Sequence, residues 1–193
     1  MKYYALKLEN ENKIVESWDE AKKIISENHV LKHKSFSTIE ECEAFFNGTV
    51  YVETVDGDKA YIDGSYNDKT NEYSFGGVLI CNGKEYHFKK RFSPDEYSPL
   101  RNVAGEIRGA GFIINKAISL KMTKIHLFYD YLGIEKWYTG EWKANSLVST
   151  RYQEFAMNVK NKIEVVFHKI KSHTNDYYND MADKLAKEAL NLR

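Results

Sequence analysis

The segment 124–130 is a predicted β-strand whose two faces are both apolar. Ile125, Leu127 and Tyr129 alternate onto one face. Phe128 lies on the other face. A strand without a polar face is typical of the interior of a sheet that helices cover on both sides. The segment therefore predicts an α/β domain with a buried sheet.

The hydrophobic pattern around this strand predicts a mixed sheet. Asn82-Gly83 is a strong signal for a hairpin turn, and it joins the second and third of three antiparallel strands. These strands are predicted at 60–64, 73–81 and 85–92. The other predicted elements are helices at 103–121, 134–139, 149–160 and 179–192 and a strand at 163–170. The order βββαβαβα predicts a five-stranded mixed sheet with helices on both faces.

The N-terminal residues predict a separate, small α+β domain with a thin core. Strands are expected at 3–8 and 32–36. A Ser or Thr followed three residues later by Glu, the pattern of a capping box, occurs at Ser17 and at Thr38. These boxes predict helices that end near Ile25 and Phe46. The predicted organisation is a small domain at 1–48, a linker at 49–58 and a larger domain at 59–193.

The net charge of zero hides an asymmetry along the chain. Residues 1–58 carry seven Lys and twelve acidic residues, a net of −5, and residues 59–193 carry a net of +5. A basic second segment is compatible with a phosphate-binding face. The two cysteines, Cys42 and Cys81, lack zinc-ligand spacing and fit a reducing compartment. Because the chain has no apolar run of about 18 residues, we expect no membrane partner and a cytoplasmic location.

Four acidic residues occupy positions where a purely structural role would favour another residue type. Asp63 ends the first strand of the larger domain, and Asp130 ends the apolar strand. Glu106 lies on the core-facing stripe of helix 103–121, where an unpaired charge is costly. Asp183 lies at the border of the apolar stripe of the last helix.

Each acid alone also has an ordinary structural interpretation. Asp63 precedes Gly64 and could be a turn residue, and Glu106 could pair with Arg108. Together they favour a metal site, because gathered carboxylates repel each other unless cations lie between them. Oxygen ligands prefer Mg²⁺ or Mn²⁺ to zinc. Two such ions about 3.5–4 Å apart are the usual arrangement for phosphodiester displacement.

The segment 59–193 resembles a type 1 ribonuclease H. The matching motifs are YIDGSYN, RNVAGEIRGA, LFYDYLGI and KSHTNDYYNDMADKLA, in the order and spacing of that family. The resemblance implies an RNase H-like fold, the α/β class with a mixed five-stranded sheet already predicted. It also implies an endonuclease that hydrolyses the RNA strand of an RNA–DNA hybrid and leaves 5′-phosphate and 3′-hydroxyl ends.

The resemblance also assigns roles to individual residues. Asp63, Glu106, Asp130 and Asp183 would hold two Mg²⁺ ions, for which Mn²⁺ could substitute. His173, in the polar loop before the last helix, would assist proton transfer or product release, although a loop histidine is often only solvated. The expected substrate contacts in this domain are Asn102, Gly64 and Ser65. The expected partner is an RNA–DNA hybrid duplex bound by a monomer.

The chain departs from the family beside these motifs. Tyr131 and Leu132 follow Asp130 where many relatives have a Ser and a polar residue that contacts the substrate. The segment 134–153 lacks the dense basic handle of some bacterial relatives. These departures leave the nearby nucleic-acid contacts open.

Residues 1–48 resemble the small hybrid-binding (viroplasmin-like) domain that precedes many type 1 enzymes. Tyr4, Trp18 and Lys34 stand at the positions where that family grips the duplex backbone. The turn LENENK replaces a basic, Gly-containing loop, and the net charge of the segment is −2. A partly buried Trp18 that only packs at its helix start is the structural alternative.

Two other functions remain open from the sequence. The same fold and metals could cut DNA, as in resolvase- or integrase-like relatives, or a non-catalytic module could keep the fold to bind nucleic acid or a ribosome. The four acids weigh against the non-catalytic alternative.

Overall fold

The computed structural model describes residues 2–47, 55–170 and 177–192. The chain divides into two compact units, Met1–Thr54 and Val55–Arg193. Residues 49–54 of the predicted linker lie outside the described residues, as does His173. The end of the predicted linker belongs to the second unit, where the backbone N–H of His126 donates to the carbonyl of Asp58 at 3.0 Å.

The N-terminal unit is a three-stranded antiparallel sheet with two helices. Its elements are β1 (Tyr3–Leu8), β2 (Asn12–Val15), α1 (Trp18–Glu27), β3 (Val30–Phe36) and α2 (Ile39–Asn47). The strand order is β2-β1-β3, so β1 is the central strand. The predicted strands and helices are confirmed. Strand β2 was not predicted, because its four residues follow a polar turn and show little alternation of polar and apolar side chains.

Both predicted helix starts are capped. The backbone N–H of Glu20 donates to the hydroxyl of Ser17 at 3.2 Å. At the second helix, the N–H of Glu41 donates to the Thr38 hydroxyl at 3.2 Å, and the N–H of Thr38 donates to the Glu41 carboxylate at 3.0 Å. These bonds satisfy backbone donors that a helix start otherwise leaves without a partner.

The larger unit has a five-stranded mixed sheet, as predicted. Its elements are β4 (Lys59–Asn67), β5 (Glu72–Cys81), β6 (Lys84–Phe92), α3 (Asn102–Ser119), β7 (Lys124–Tyr129), α4 (Gly133–Thr139), α5 (Leu147–Val159), β8 (Glu164–Lys169) and α6 (Tyr177–Ala189). The strand order is β6-β5-β4-β7-β8. Strands β4 to β6 are antiparallel, and β4, β7 and β8 are parallel. Asn82 and Gly83 both have positive φ, 50° and 72°, as the predicted hairpin turn requires.

Helices cover both faces of this sheet. The main core packs α3 and α5 against one face, and a second cluster packs α6 against the other. Ile125, Leu127 and Tyr129 of β7 are fully buried in the first core. Phe128 is buried in the second and stacks on Tyr61 at 4.4 Å between ring centroids. The two-faced apolar pattern of β7 therefore has the predicted cause.

Two glycines let helices approach the sheet closely. A Cβ on Gly105 of α3 would lie 1.9 Å from the carbonyl oxygen of Ser74 in β5. A Cβ on Gly76 of β5 would lie 1.9 Å from the carbonyl oxygen of Ala182 in α6. Any larger residue would push these helices off the sheet. None of the helices in the described parts of the chain is long and apolar enough to cross a membrane.

Candidate active site

Three of the four predicted site acids lie on different elements of the larger unit, and the fourth directly follows another element. Asp130 directly follows β7, and Glu106 is in the second turn of α3. Asp183 is on α6, on the opposite face of the sheet from α3. Asp63 lies within β4 rather than at its end, which corrects the prediction. Its strand continues to Asn67 because β4 stays paired with β5 beyond the point where its pairing with β7 stops.

The parallel pairing of β4 with β7 places Asp63 and Asp130 at the same edge of the sheet. Pairing between β4 and β7 ends at the register pair Tyr61 and Phe128. Both aspartates follow two residues later in their chains. The carboxyl ends of parallel strands are where α/β sheets collect ligands.

Glu106 is 1% exposed and lacks a full set of partners. Its Oε1 accepts a long contact of 3.5 Å from the Asn102 amide, and its Oε2 has no hydrogen-bond partner in the described structure. Burial raises the pKa of Glu106 well above its usual value. Asp130 raises this pKa further through its charge and through the interaction of its carboxyl with that of Glu106, and the charge of Asp63 adds to the effect. A buried carboxyl oxygen without a partner is costly, so a ligand is expected there.

Asp63 is coupled to the same cluster. Burial raises its pKa to about 7, and the negative charges of Asp130 and Asp183 act in the same direction. The Gly64 N–H, which donates to Asp63 Oδ1 at 2.6 Å, and the charge of Lys187 lower it. The charges thus show that the fold gathers all four acids within electrostatic reach of Asp63 or Glu106.

Asp183 is partly exposed, with 38% of its side chain accessible to solvent. Its Oδ2 accepts a hydrogen bond of 2.7 Å from Lys187, one turn further along α6. In the described residues, no group of three or more His, Cys, Asp or Glu side chains is arranged to bind a metal ion. The donor set nevertheless fits a hard divalent cation, because all its atoms are oxygens and Glu106 Oε2 has no partner. The carboxyls that repel each other would be the ligands.

Three predicted substrate contacts border this cluster. Asn102 is the first residue of α3 and is exposed. Gly64 is partly exposed, and a Cβ there would meet the Asn102 carbonyl oxygen at 2.0 Å. Ser65 is only 8% exposed, so its side chain is largely covered.

An aromatic row that the sequence analysis missed leads away from Glu106. Tyr131 is close enough for the charge of Glu106 to raise its pKa, after burial as the larger cause. Its ring lies 5.7 Å from that of Trp137, which lies 6.0 Å from that of Trp142. Trp142 is 41% exposed. The aromatic residues at positions 131, 137 and 142 are the sequence signal for this row.

In the N-terminal unit, the structure joins two of the three predicted contacts. The rings of Tyr4 and Trp18 lie 5.4 Å apart, and Trp18 is 43% exposed. His33, which the sequence analysis did not single out, lies 6.2 Å from Trp18. Lys34 pairs with Ala5 rather than Tyr4, so strand alternation places it on the other face of the sheet. Its ammonium group lies over the ring of Phe36 at 5.5 Å.

Comparison with known proteins gives two family matches. Residues 56–191 match the family described as RNase H, and residues 2–46 match the family described as ribonuclease H1 N-terminal domain. A search of the curated proteins found no match.

Solved structures share the fold of the larger unit. RNase H1 from Halobacterium salinarum NRC-1 is similar with a TM-score of 0.58 and 23% identity, covering 69% of this chain and 97% of that one. The N-terminal RNase H domain of Rv2228c from Mycobacterium tuberculosis has a TM-score of 0.55 and 17% identity, covering 69% and 94%. LC11-RNase H1 in complex with an RNA/DNA hybrid has a TM-score of 0.54 and 13% identity, covering 69% and 99%. At these identities the likeness establishes the fold.

Proposed function

Because the chain belongs to the RNase H family, we propose that it is an endonuclease that hydrolyses the RNA strand of RNA–DNA hybrids. The acidic charge that surrounds Asp63 and Glu106 carries this proposal. Asp130 raises the pKa of both, Asp183 raises that of Asp63, and Asp63 raises that of Glu106. A buried carboxyl whose pKa is raised by neighbouring charges destabilises the fold when it is ionised. Such a cost is typical of a functional site.

The four acids would hold two Mg²⁺ ions, with Mn²⁺ as the alternative. Bound there, the ions supply a metal-activated water and stabilise charge on the phosphodiester. The protein contributes the ligands in a partly buried site, where their charges are poorly screened. Since ligands must be deprotonated, the raised pKa values of Asp63 and Glu106 make metal affinity rise with pH through about 7.

Other residues of the chain would orient the substrate. Asn102 is exposed at the start of α3 beside Glu106, so its amide is available to a nucleotide at the cut. Gly64 and Ser65 border Asp63 on β4. His173 is proposed, from the sequence alone, to assist proton transfer or product release. The expected products carry 5′-phosphate and 3′-hydroxyl ends.

Hybrid binding would use aromatic surfaces on both units. In the larger unit, the row Tyr131, Trp137 and Trp142 begins beside Glu106 and ends in solvent. In the N-terminal unit, Tyr4 and Trp18 form an exposed pair. Exposed aromatic rings can pack against the sugars and backbone of a duplex, contacts that carry no sequence information. The hybrid bound by LC11-RNase H1 shows that a protein of this fold takes that substrate.

The test is a gel assay with a labelled hybrid, with Mg²⁺ or with EDTA. The unaltered chain should cleave only the RNA strand and only with metal. Asp130→Asn should lower the rate at least about 100-fold, because it removes one ligand charge and keeps the shape. The matched control is Asp56→Asn, an exposed aspartate of the same unit, which should keep full activity.

The substrate arms distinguish the alternatives. Cleavage of an all-DNA duplex would favour a resolvase-like enzyme, and folded protein that cleaves neither substrate would favour a binding module. Full activity of Asp130→Asn would remove this residue from the site.

The role of the N-terminal unit is tested separately by hybrid affinity at low salt. Trp18→Ala should weaken binding about tenfold, which corresponds to about 1.4 kcal/mol of lost contact between the ring and the duplex backbone. Leu31→Ala is the control, because Leu31 is also an exposed apolar residue, at 51%. Equal affinities of the two variants would exclude Trp18 from the substrate surface.

A further inference from the structure

A cavity of about 320 Å³ lies between α3, α5 and strands β5 and β6. Its α3 wall is formed by residues after Glu106, including Arg108 and Gly111. None of the four site acids lines it. Its volume falls at the lower end of the usual range for small-molecule sites, about 300–1,000 Å³.

Gly111 is unusual in the middle of α3. A glycine inside a helix costs about 1 kcal/mol relative to alanine. Packing explains Gly105 and Gly109, because a Cβ would lie 1.9 Å from the Ser74 oxygen in one case and 3.0 Å from Phe75 Cβ in the other. At Gly111 a Cβ would meet only Phe155, at an ordinary 4.0 Å. Packing therefore does not explain Gly111, which leaves its stretch of the cavity wall without a side chain.

The charged groups of the cavity wall are all cations. Arg108 is paired with Asp95 at 3.0 Å, and Arg151 is paired with Glu96. Lys90, which is exposed, also lines the cavity, and no carboxylate within the described ranges lies within salt-bridge distance of it. The cavity therefore keeps one uncompensated positive charge, which favours an anionic ligand group.

The remaining wall is aromatic. Phe75 and Phe112 lie 5.2 Å apart, and Phe92 lies 6.2 Å from Phe75. Lys90 Nζ is 5.2 Å from the centre of the Phe92 ring, so the cation is next to an aromatic surface. The Arg108 guanidinium stacks on Tyr97 at 3.8 Å. Phe75 is itself buried, at 1% exposed, and Phe112 is 38% exposed, so a ligand ring would pack against Phe112. A flat ring beside a cation suits a planar ring that carries a negative group.

We propose that this cavity binds a nucleoside monophosphate, with the base against the aromatic wall and the phosphate at Lys90. Lysine binds phosphate as a point charge, which suits the flexible end of such a ligand. The site is separate from the acid cluster. Its occupation is independent of the proposed hydrolysis.

The test is nuclear magnetic resonance titration of the full chain, in EDTA, with adenosine 5′-monophosphate as the probe. Amide shifts should cluster at residues 107–115 of α3 and near Lys90. Adenosine and ribose 5-phosphate should each bind at least about tenfold more weakly than the whole nucleotide, which corresponds to about 1.4 kcal/mol.

Two variants separate the two halves of the ligand. Lys90→Met should weaken nucleotide binding about tenfold and leave adenosine binding unchanged. Gly111→Leu should abolish the binding of both ligands. Gly111→Ala, which favours the helix, is the second variant in case leucine disturbs folding, and it should weaken the binding of both. All three variants should keep hybrid cleavage, since none of these residues belongs to the acid cluster.

Three outcomes would overturn the proposal. The first is the absence of amide chemical-shift changes at about 10 mM nucleotide, a concentration tenfold above a weak dissociation constant of about 1 mM. The second is a set of shifts around Asp63 or Trp18 in place of α3. The third is equal nucleotide affinity in Lys90→Met and the unaltered chain.

Discussion

Replacing Asp63 with asparagine should stabilise the chain while removing its activity. Burial and the charge of Asp130 raise the pKa of Asp63 from 3.8 to about 7. A tenfold change in proton affinity corresponds to about 1.4 kcal/mol, so ionised Asp63 costs the folded state roughly 4 kcal/mol. Because interacting acids share such a cost, we expect Asp63→Asn to recover about 2–4 kcal/mol.

The gain from Asp63→Asn should depend on pH with a definite sign. Between about pH 4 and pH 7, the folded state keeps a proton on Asp63 that the unfolded state has lost. The free energy of unfolding therefore falls as pH rises through this window, and it levels off above about pH 7. Asparagine does not titrate, so the advantage of the variant should be small at pH 4 and largest above pH 7.

Urea unfolding in EDTA at about pH 4 and about pH 8.5 measures this difference. Asp56→Asn serves as the control for the loss of one negative charge, since Asp56 is exposed in the same unit. An Asp63→Asn variant that is no more stable than the control at the higher pH would contradict the predicted cost of the ionised carboxylate. An equal gain in stability at both pH values would contradict it as well.

Three further predictions concern the support of the site and the sheet. Gly76→Ala should lower the free energy of unfolding by at least about 3 kcal/mol and abolish cleavage, measured by urea titration and the gel assay, because its Cβ would strike the backbone of α6. Lys187→Met should raise the pKa of Asp63 and move the midpoint of the pH–rate profile upward, since Lys187 lowers that pKa and holds Asp183; an unchanged midpoint would contradict this. Burial lowers the pKa of His126, so the unfolded chain takes up this proton first, and the free energy of unfolding should fall as pH drops below about 6.5. In urea titrations at pH 5.5 and 7.5, His126→Gln should reduce this difference.

The sequence predicted the larger sheet well because its signals are local. The two apolar faces of β7 and the Asn82-Gly83 turn each specify a structure without knowledge of distant residues. Glu106 could be singled out because helical periodicity alone places it on the buried stripe. Such features depend on a few neighbours in the chain.

Other features of the candidate site depend on pairing that the sequence does not show. The face on which Lys34 lies follows from its register with Ala5, which separates it from Tyr4 and Trp18. The position of Asp63 within β4 depends on how far β5 remains paired with it. A shift of one residue in either register would reverse the face of each side chain. Sequence patterns predicted the strands, but only the structure gives the pairing.

The packing of helices against the sheet, rather than attraction between charges, holds the four acids of the site together. Gly105 and Gly76 let α3 and α6 approach opposite faces of β5, and these contacts fix the helices that carry Glu106 and Asp183. The packing must outweigh the repulsion of the acids, since Asp63 alone costs several kcal/mol when ionised. A cation among the carboxyls would remove that repulsion. The acids that destabilise the metal-free fold are therefore also the groups that bind the ion. Stability and metal affinity at this edge should therefore change in opposite directions when one of the acids is replaced.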